Sequence, residues 1–328
     1  MALDLVVNAP CIVTVTANPC VDETLFVDHL AFHDTNRIAR IEWDAGGKGI
    51  NVARLVAALG GKSVATGVVG GHSGSRVEAV LTRESVECAF VHLGVLTRTN
   101  YCVEDGSELP PTTFDAPGPT VRTVDLEALL SAVERLMPRA KWVMTGGSLP
   151  PGLPADAHAQ VVRAARLHGV PVAVDADGES LRLALAAGPD FIKPNVHEAE
   201  RLTKRRLEFP DRITACARAL RDEMMVAGAS SRAIAVISMG ADGAVMACEA
   251  GLFRGSSPRV ECRSSVGAGD SMVGGMLWCL ATGESPEVAL QWGLAAGAAT
   301  ARTRNVGVAS RVEIEELLPA ARVDVLPG

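Results

Sequence analysis

Short runs rich in β-branched residues alternate along this chain with longer Ala- and Leu-rich stretches whose apolar positions recur at helical spacing. Strands are predicted at 11–17, 63–69, 142–145, 170–174, 191–192, 233–238 and 244–248. Helices are predicted at 49–59, 74–84, 125–136, 155–167, 179–187, 213–227, 270–281 and 286–302. Strands that read as near-continuous apolar runs are buried on both faces, so the alternation implies one α/β domain, 1–328, with a largely parallel sheet covered by helices.

Two segments break this rhythm. Residues 23–43 and 99–114 alternate apolar and polar positions without a helical period, the second around Pro110 and Pro111. Both are expected to be antiparallel strands outside the main sheet, forming a small β-layer that acts as a lid or a dimerisation surface. The alternative is a pair of irregular surface loops.

Composition narrows the classes of function. Of 328 residues, 31 are Lys or Arg and 38 are Asp or Glu, a net charge of −7 that argues against a nucleic-acid partner held by phosphate attraction. An anionic ligand must therefore be held by local geometry, and 32 glycines permit many tight backbone turns. The eight cysteines include no C-x-x-C pair, as expected of reduced core residues in a cytoplasmic protein. No apolar run is long enough to span a bilayer, and no basic residue precedes the first apolar run as in a secretory signal.

The strongest chemical signal is Ser264-Ser265-Val266-Gly267-Ala268-Gly269-Asp270-Ser271, directly before an apolar helix. Two glycines one residue apart let successive N–H groups turn toward one point, and the helix adds its positive end, so the loop suits an anion. Asp270 beside it fits a general base that takes a hydroxyl proton during phosphoryl transfer, or else a helix cap. Gly61-Lys62-Ser63 is not a P-loop, because Val56 stands where the first glycine belongs. The first strand runs into Asn18-Pro19 rather than G-x-G-x-x-G, and Ser148 lies in G-G-S-L-P-P-G rather than G-x-S-x-G, which disfavours a dehydrogenase and a serine hydrolase.

A second glycine cluster, Gly46-Gly47-Lys48-Gly49-Ile50-Asn51, also opens a helix; Gly46 and Gly47 allow close approach of a ligand, while Lys48 and Asn51 offer donors to hydroxyls or phosphate oxygens. Asp22 stands just beyond the first strand's carboxyl end, where open α/β sheets bind ligands. Asp22 and Asn51 read equally as a turn residue and a surface residue. In Lys193-Pro194-Asn195-Val196-His197-Glu198, Asn195 and Glu198 can share one side of a helix start, suited to a hydrated magnesium ion or to a plain capping box. Asp175 ends a strand and could orient water around the same ion, or serve a turn; His197 reads as a surface residue.

In this order and over nearly the whole chain, these segments resemble the ribokinase-like (PfkB-type) sugar kinases. The resemblance rests on G-G-K-G-I-N-V-A-R and S-V-G-A-G-D-S-M, with T-A-N-P-C-V-D-E-T, Asn36-Arg37, T-G-G-S-L-P-P-G and K-P-N-V-H-E similar to the branch that acts on phosphorylated hexoses. It implies a three-layer α/β/α fold with a β-lid that pairs in a homodimer. It implies ATP and magnesium as cofactors, a sugar phosphate as small-molecule partner, and transfer to a primary hydroxyl, most simply that of fructose 1-phosphate.

By the same resemblance Asp270 is the catalytic base and Gly267, Ala268 and Gly269 form the anion hole. Asp22, Gly46, Gly47 and Asn51 hold the sugar, and Ser148 also binds the substrate. Arg98 and Asn100 meet its existing phosphate, and Arg37 is a second candidate, reaching across a dimer. Lys193, Asn195, Ser238, Gly240 and Gly243 belong to the nucleotide site, and Asn195, Glu198 and Asp175 to the metal. Adenine or a monovalent cation would lie near Arg302–Gly307. Thr35 and His197 stand where the branch's 6-phosphofructokinases carry basic residues, which favours fructose 1-phosphate or tagatose 6-phosphate over fructose 6-phosphate. A kinase of an unphosphorylated sugar or nucleoside, and a non-catalytic sugar-phosphate sensor, are the alternatives.

Overall fold

Alternation within the first strand already sorts the core into two layers. In β1 (Cys11–Thr16), Val13 and Val15 join one buried cluster and Ile12 joins the other, the period-2 signature of a strand covered on both sides. The computed structural model describes residues 10–107, 111–208, 211–303 and 307–327. Pro110 of the second off-rhythm segment, and Arg304–Val306 within the stretch expected near adenine or a cation, lie outside the described residues.

The chain continues through β2 (Cys20–Val27), β3 (Ile38–Gly46), α1 (Lys48–Ala58), β4 (Lys62–Gly70), α2 (Gly71–Arg83), β5 (Glu87–Cys88), β6 (Val91–Leu93), β7 (Arg98–Glu104) and β8 (Thr112–Phe114). Then come α3 (Thr123–Leu136), β9 (Ala140–Gly146), α4 (Ala157–Leu167), β10 (Val172–Asp175), α5 (Gly178–Leu185), β11 (Phe191–Ile192), α6 (Val196–Thr203) and α7 (Asp211–Val226). The last third holds β12 (Ile234–Ser238), β13 (Ala244–Cys248), β14 (Gly251–Ser256), α8 (Ala268–Thr282), α9 (Pro286–Ala301), α10 (Arg311–Leu317) and β15 (Arg322–Leu326).

The main sheet runs β15-β14-β13-β12-β11-β10-β9-β1-β4-β5, with β6 also on β4. Every pairing from β5 and β6 through β12 is parallel, as expected, and β13, β14 and β15 add an antiparallel edge. The two outermost strands on this side, β14 and the edge strand β15, escape the sequence pattern because β14 carries two glycines and β15 leaves Arg322, Asp324 and Val325 exposed. Helices α8 and α9 are apolar nearly all round because they pack on each other as well as on the sheet; a Cβ on Gly293 would come within 2.6 Å of Met276 Cγ.

The two off-rhythm segments form a separate four-stranded sheet in the order β3-β2-β7-β8. The pairings β2–β3 and β7–β8 are antiparallel, but β2–β7 is parallel, which corrects the all-antiparallel expectation. Both strands leave the main domain at the same end, β2 after Pro19 and β7 after Thr97, so they enter the lid side by side. The first lid segment also extends further than its pattern implied, from Cys20 to Gly46. Among the described residues no helix is long and apolar enough to cross a membrane, and all eight cysteines are free.

Candidate active site

The carboxyl ends of β1, β9 and β10 and the starts of α1 and α8 converge beneath the small sheet around a cavity of about 880 Å³. Crevices at the carboxyl ends of parallel strands are where open α/β sheets hold ligands. Asp22, Gly47, Asn51, Arg98, Asn100, Ser148, Gly267 and Asp270 all line it, although they come from five stretches of sequence.

Gly267 is the N-cap of α8 and adopts a left-handed φ of 75°, with no side chain capping the helix. The first-turn N–H groups of a helix have no partner within it, so this turn, where Ala268 N reaches Ser265 O at 3.4 Å, offers donors suited to an anion beside the cavity that Gly267 lines. Asp270 follows in the same turn but does not cap it: Asn51 Nδ2 donates to Asp270 Oδ2 at 2.8 Å. Burial pushes the Asp270 carboxyl up to about 6, nearby Asp175 adds to the rise, and Lys48, the Asn51 amide and Lys193 oppose it. A carboxyl poised there is charged at neutral pH and basic enough to accept a hydroxyl proton.

Lys48 also lines the cavity, and its Nζ lies 2.7 Å from Asp175 Oδ1 and 4.0 Å from Glu198 Oε1. Burial disfavours its charge, yet Asp175, Asp270 and Glu198 together raise its pKa. Asp175 is buried; desolvation alone would raise its pKa, but Lys193 and Lys48 hold it below the ordinary carboxylate value. Lys193 Nζ lies 3.6 Å from Asp175 Oδ2, and that oxygen has no hydrogen-bond partner.

Across the cavity, Asp22 accepts from Asn100 Nδ2 at 3.0 Å and from Cys20 Sγ at 3.1 Å, and its burial raises its pKa. Gly46 is required there, since a Cβ on it would overlap the Asp22 carboxylate. Arg98 donates to Ala116 O at 2.7 Å and Asn18 O at 3.0 Å, with Ser148 Oγ at 3.5 Å. Four of the buried polar atoms without partners, Thr16 Oγ1, Asn18 Oδ1, Asn51 Oδ1 and Arg98 Nε, belong to residues lining this cavity. Buried polar atoms left open in this way mark a surface built for a polar ligand.

On the far side of Asp175, Lys193, Asn195, Ser238, Gly240 and Gly243 gather at the ends of β11 and β12, outside the cavity lining. Asn195 and Ser238 form a parallel bridge, and Gly243 turns the chain with φ 91°. Asn195 and Glu198 make a capping box on α6: Glu198 N donates to Asn195 Oδ1 at 2.9 Å and Asn195 N to Glu198 Oε2 at 2.7 Å. Among the described residues no three His, Cys, Asp or Glu side chains gather as a metal-holding group. Glu198 Oε1 and Asp175 Oδ2, which no hydrogen bond engages, fit a magnesium ion carried mainly by phosphates and water, which needs only one or two protein carboxylates.

Arg37 is not brought to the cavity; it is exposed in the loop between β2 and β3. His197 is exposed beside Glu200. Sequence reasoning missed three supporting residues. Asn18 sits between Arg98 and Ser148. His158 bonds Thr145 Oγ1 at 2.7 Å and Gly147 O at 3.1 Å, and burial lowers its pKa to about 4. Arg54 is buried between Asp44 and Glu84. An Asn before Pro at a strand end, and the Arg closing G-G-K-G-I-N-V-A-R, were the available signals.

Comparison with known proteins bears on this arrangement. The chain is 35% identical to the 1-phosphofructokinase of Rhodobacter capsulatus over 267 residues, 81% of this chain and 82% of that protein. It is 32% identical to the ATP-dependent 6-phosphofructokinase isozyme 2 of Escherichia coli over 93% of this chain and 97% of that one. The structure of Escherichia coli phosphofructokinase-2 in complex with potassium superposes with a TM-score of 0.87 at 30% identity, over 95% of this chain and 99% of that chain. Residues 15–312 match the pattern of the pfkB family carbohydrate kinases, and the chain belongs to that family.

Proposed function

We propose that this kinase transfers the γ-phosphoryl group of ATP to a primary hydroxyl of a phosphorylated ketohexose, converting fructose 1-phosphate to fructose 1,6-bisphosphate. One observation carries the reading: a poised carboxylate beside an anion-binding turn, Asp270 and Gly267–Gly269, shares a single cavity with Arg98 and Ser148. A single cavity holding both groups suits a substrate with a hydroxyl at one end and a phosphate at the other.

Asp270 takes the hydroxyl proton, the freed oxygen forms its bond to the γ-phosphorus, and the bond to the β-phosphate bridging oxygen breaks, releasing ADP. The N–H groups of Gly267, Ala268 and Gly269 meet the charge that spreads over the phosphoryl oxygens, each well-placed donor worth roughly 10²–10³ in rate. Asp22, Gly46, Gly47 and Asn51 hold the sugar, Arg98, Asn100 and Ser148 its phosphate, and Lys193, Asn195, Ser238, Gly240 and Gly243 the nucleotide. Magnesium, when bound near Glu198, Asn195 and Asp175, screens the phosphate charge. A monovalent cation is a further proposed requirement, supported by the potassium complex of the Escherichia coli relative.

The lid supports a homodimer. Trp43, Tyr101 and Phe114 fall in one cross-strand row, Trp43 paired to Glu23, Glu23 to Tyr101 and Tyr101 to Phe114, and the three aromatics are exposed by 42%, 43% and 57%. An exposed aromatic row on a small sheet is the kind of surface a partner covers. The eight free thiols suit a cytoplasmic setting.

The test is ADP release from ATP and magnesium with fructose 1-phosphate, tagatose 6-phosphate, fructose 6-phosphate and fructose. The highest kcat/KM is expected with fructose 1-phosphate. No turnover of any phosphorylated sugar overturns the reading, and a higher kcat/KM for free fructose replaces it with a kinase of unphosphorylated sugars. The similarity to 6-phosphofructokinase isozyme 2 keeps fructose 6-phosphate as the second acceptor to compare.

A further inference from the structure

We propose that Asn18 is a positioning residue for the acceptor's phosphate, acting by fixing the direction in which the Ser148 hydroxyl donates. The inference rests on the reading of Arg98 and Ser148 as the phosphate's partners. Asn18 is buried, 3% exposed, at the end of β1, and three otherwise separate segments meet on it. Its Nδ2 donates to Pro117 O at 3.0 Å and to Ser148 Oγ at 3.1 Å, and its main-chain oxygen accepts from Arg98 Nη2 at 3.0 Å.

The chemistry of the partners determines the direction of these bonds. Pro117 O can only accept, so the side-chain atom facing it must be the amide nitrogen and not its oxygen. The same nitrogen then presents an N–H to Ser148 Oγ, and Arg98 Nη2 approaches that oxygen from 3.5 Å. With its lone pairs engaged by N–H donors, the Ser148 hydroxyl must point its own hydrogen elsewhere. Ser148 is exposed to the cavity, so that hydrogen is offered to a ligand oxygen. A phosphate accepts only, and a serine already turned outward as a donor, beside an arginine held by Asn18 O and Ala116 O, is complementary to it. His158 braces the same loop from behind, its Nε2–H on Gly147 O and its Nδ1 accepting from Thr145, because the carbonyl again leaves only one tautomer.

The test is a double-mutant cycle with steady-state kinetics on fructose 1-phosphate and ATP. Asn18→Ala is expected to raise KM for fructose 1-phosphate about tenfold, with kcat within about threefold and KM for ATP unchanged. Ser148→Ala is expected to do the same, and the double variant no more than Ser148→Ala alone, because Asn18 acts through that hydroxyl. Full additivity of the two substitutions, or equal changes in both KM values, overturns the inference and leaves Asn18 a structural residue. If Arg98→Ala and Ser148→Ala also leave the fructose 1-phosphate KM unchanged, the phosphate reading itself fails. Should Asn18→Ala not fold, Asn18→Ser carries the same cycle.

Discussion

The amide nitrogen of Asn51 donates to Asp270 Oδ2 across 2.8 Å, joining α1 to α8 over 219 positions of sequence. A hydrogen bond to the charged carboxylate favours that form, so it opposes the burial that lifts Asp270 to about 6. The acid limb of kcat/KM is therefore expected to have its midpoint near pH 6, falling as Asp270 protonates and can no longer accept a proton. Asn51→Leu removes the donor and should move that midpoint to higher pH. A profile flat from pH 5 to 8, or a midpoint that falls in Asn51→Leu, contradicts the assignment.

The same group links catalysis to stability. Because the folded-state pKa of Asp270 is raised from 3.8 to about 6, the folded protein binds its proton more tightly than the unfolded chain does. The fold thus loses stability as pH rises from about 4 to about 6, and the loss persists above that. Asp270→Asn removes it. Thermal unfolding should show a higher Tm for Asp270→Asn than for the parent at pH 7.5 and a smaller gap at pH 4, while turnover falls by about 10²–10⁴. A Tm lowered at pH 7.5 would show that Asp270 contributes to the fold instead.

The turn at the start of α8 was legible in the sequence because its shape depends on backbone: two glycines one residue apart before an apolar helix set it. The alternating core of β1 and β12 was legible for a similar local reason, that burial on two sides leaves a continuous apolar run. Lys48 was not. Its partner Asp175 lies 127 positions away, and only the stacking of β1, β9 and β10 brings them together. Asn18 was missed because an amide's role depends on which partners surround it, and those are the acceptors Pro117 O and Ser148 Oγ and the donor Arg98. The capping box at Asn195 and Glu198 shows the reverse case, in which a local pattern was visible but admitted two uses.

Arg54 anchors the root of the lid. Only 3% exposed, it donates through Nε to Glu84 Oε2 at 2.7 Å, through Nη2 to Asp44 Oδ2 at 2.9 Å and through Nη1 to Ala45 O at 3.1 Å. Its partners Asp44 and Glu84 keep some contact with water and Glu84 lies 3.9 Å from Arg83, so Arg54→Met should cost about 1–3 kcal/mol in urea unfolding. Arg54→Lys should recover little, because one ammonium cannot span three acceptors set around a planar fork. Ala45 precedes Gly46, so KM for the sugar should rise as well. Full stability in Arg54→Met would mean the network is dispensable.

The exposed position of Arg37 makes a distinct prediction about the proposed dimer. It lies outside the cavity lining of its own chain, so any contact with the acceptor's phosphate must come from a second copy. Phe114→Lys places a charge at the end of the aromatic row formed with Trp43 and Tyr101, and should shift the protein from dimer to monomer in sedimentation velocity. If the lid delivers Arg37 in trans, Arg37→Ala and Phe114→Lys should each raise KM for fructose 1-phosphate, and the double variant should be no worse than Phe114→Lys, because a monomer has no partner arginine left to lose. A dimer that survives Phe114→Lys removes the aromatic row as the interface. A KM rise in Phe114→Lys without one in Arg37→Ala keeps the interface and removes the arginine from the site.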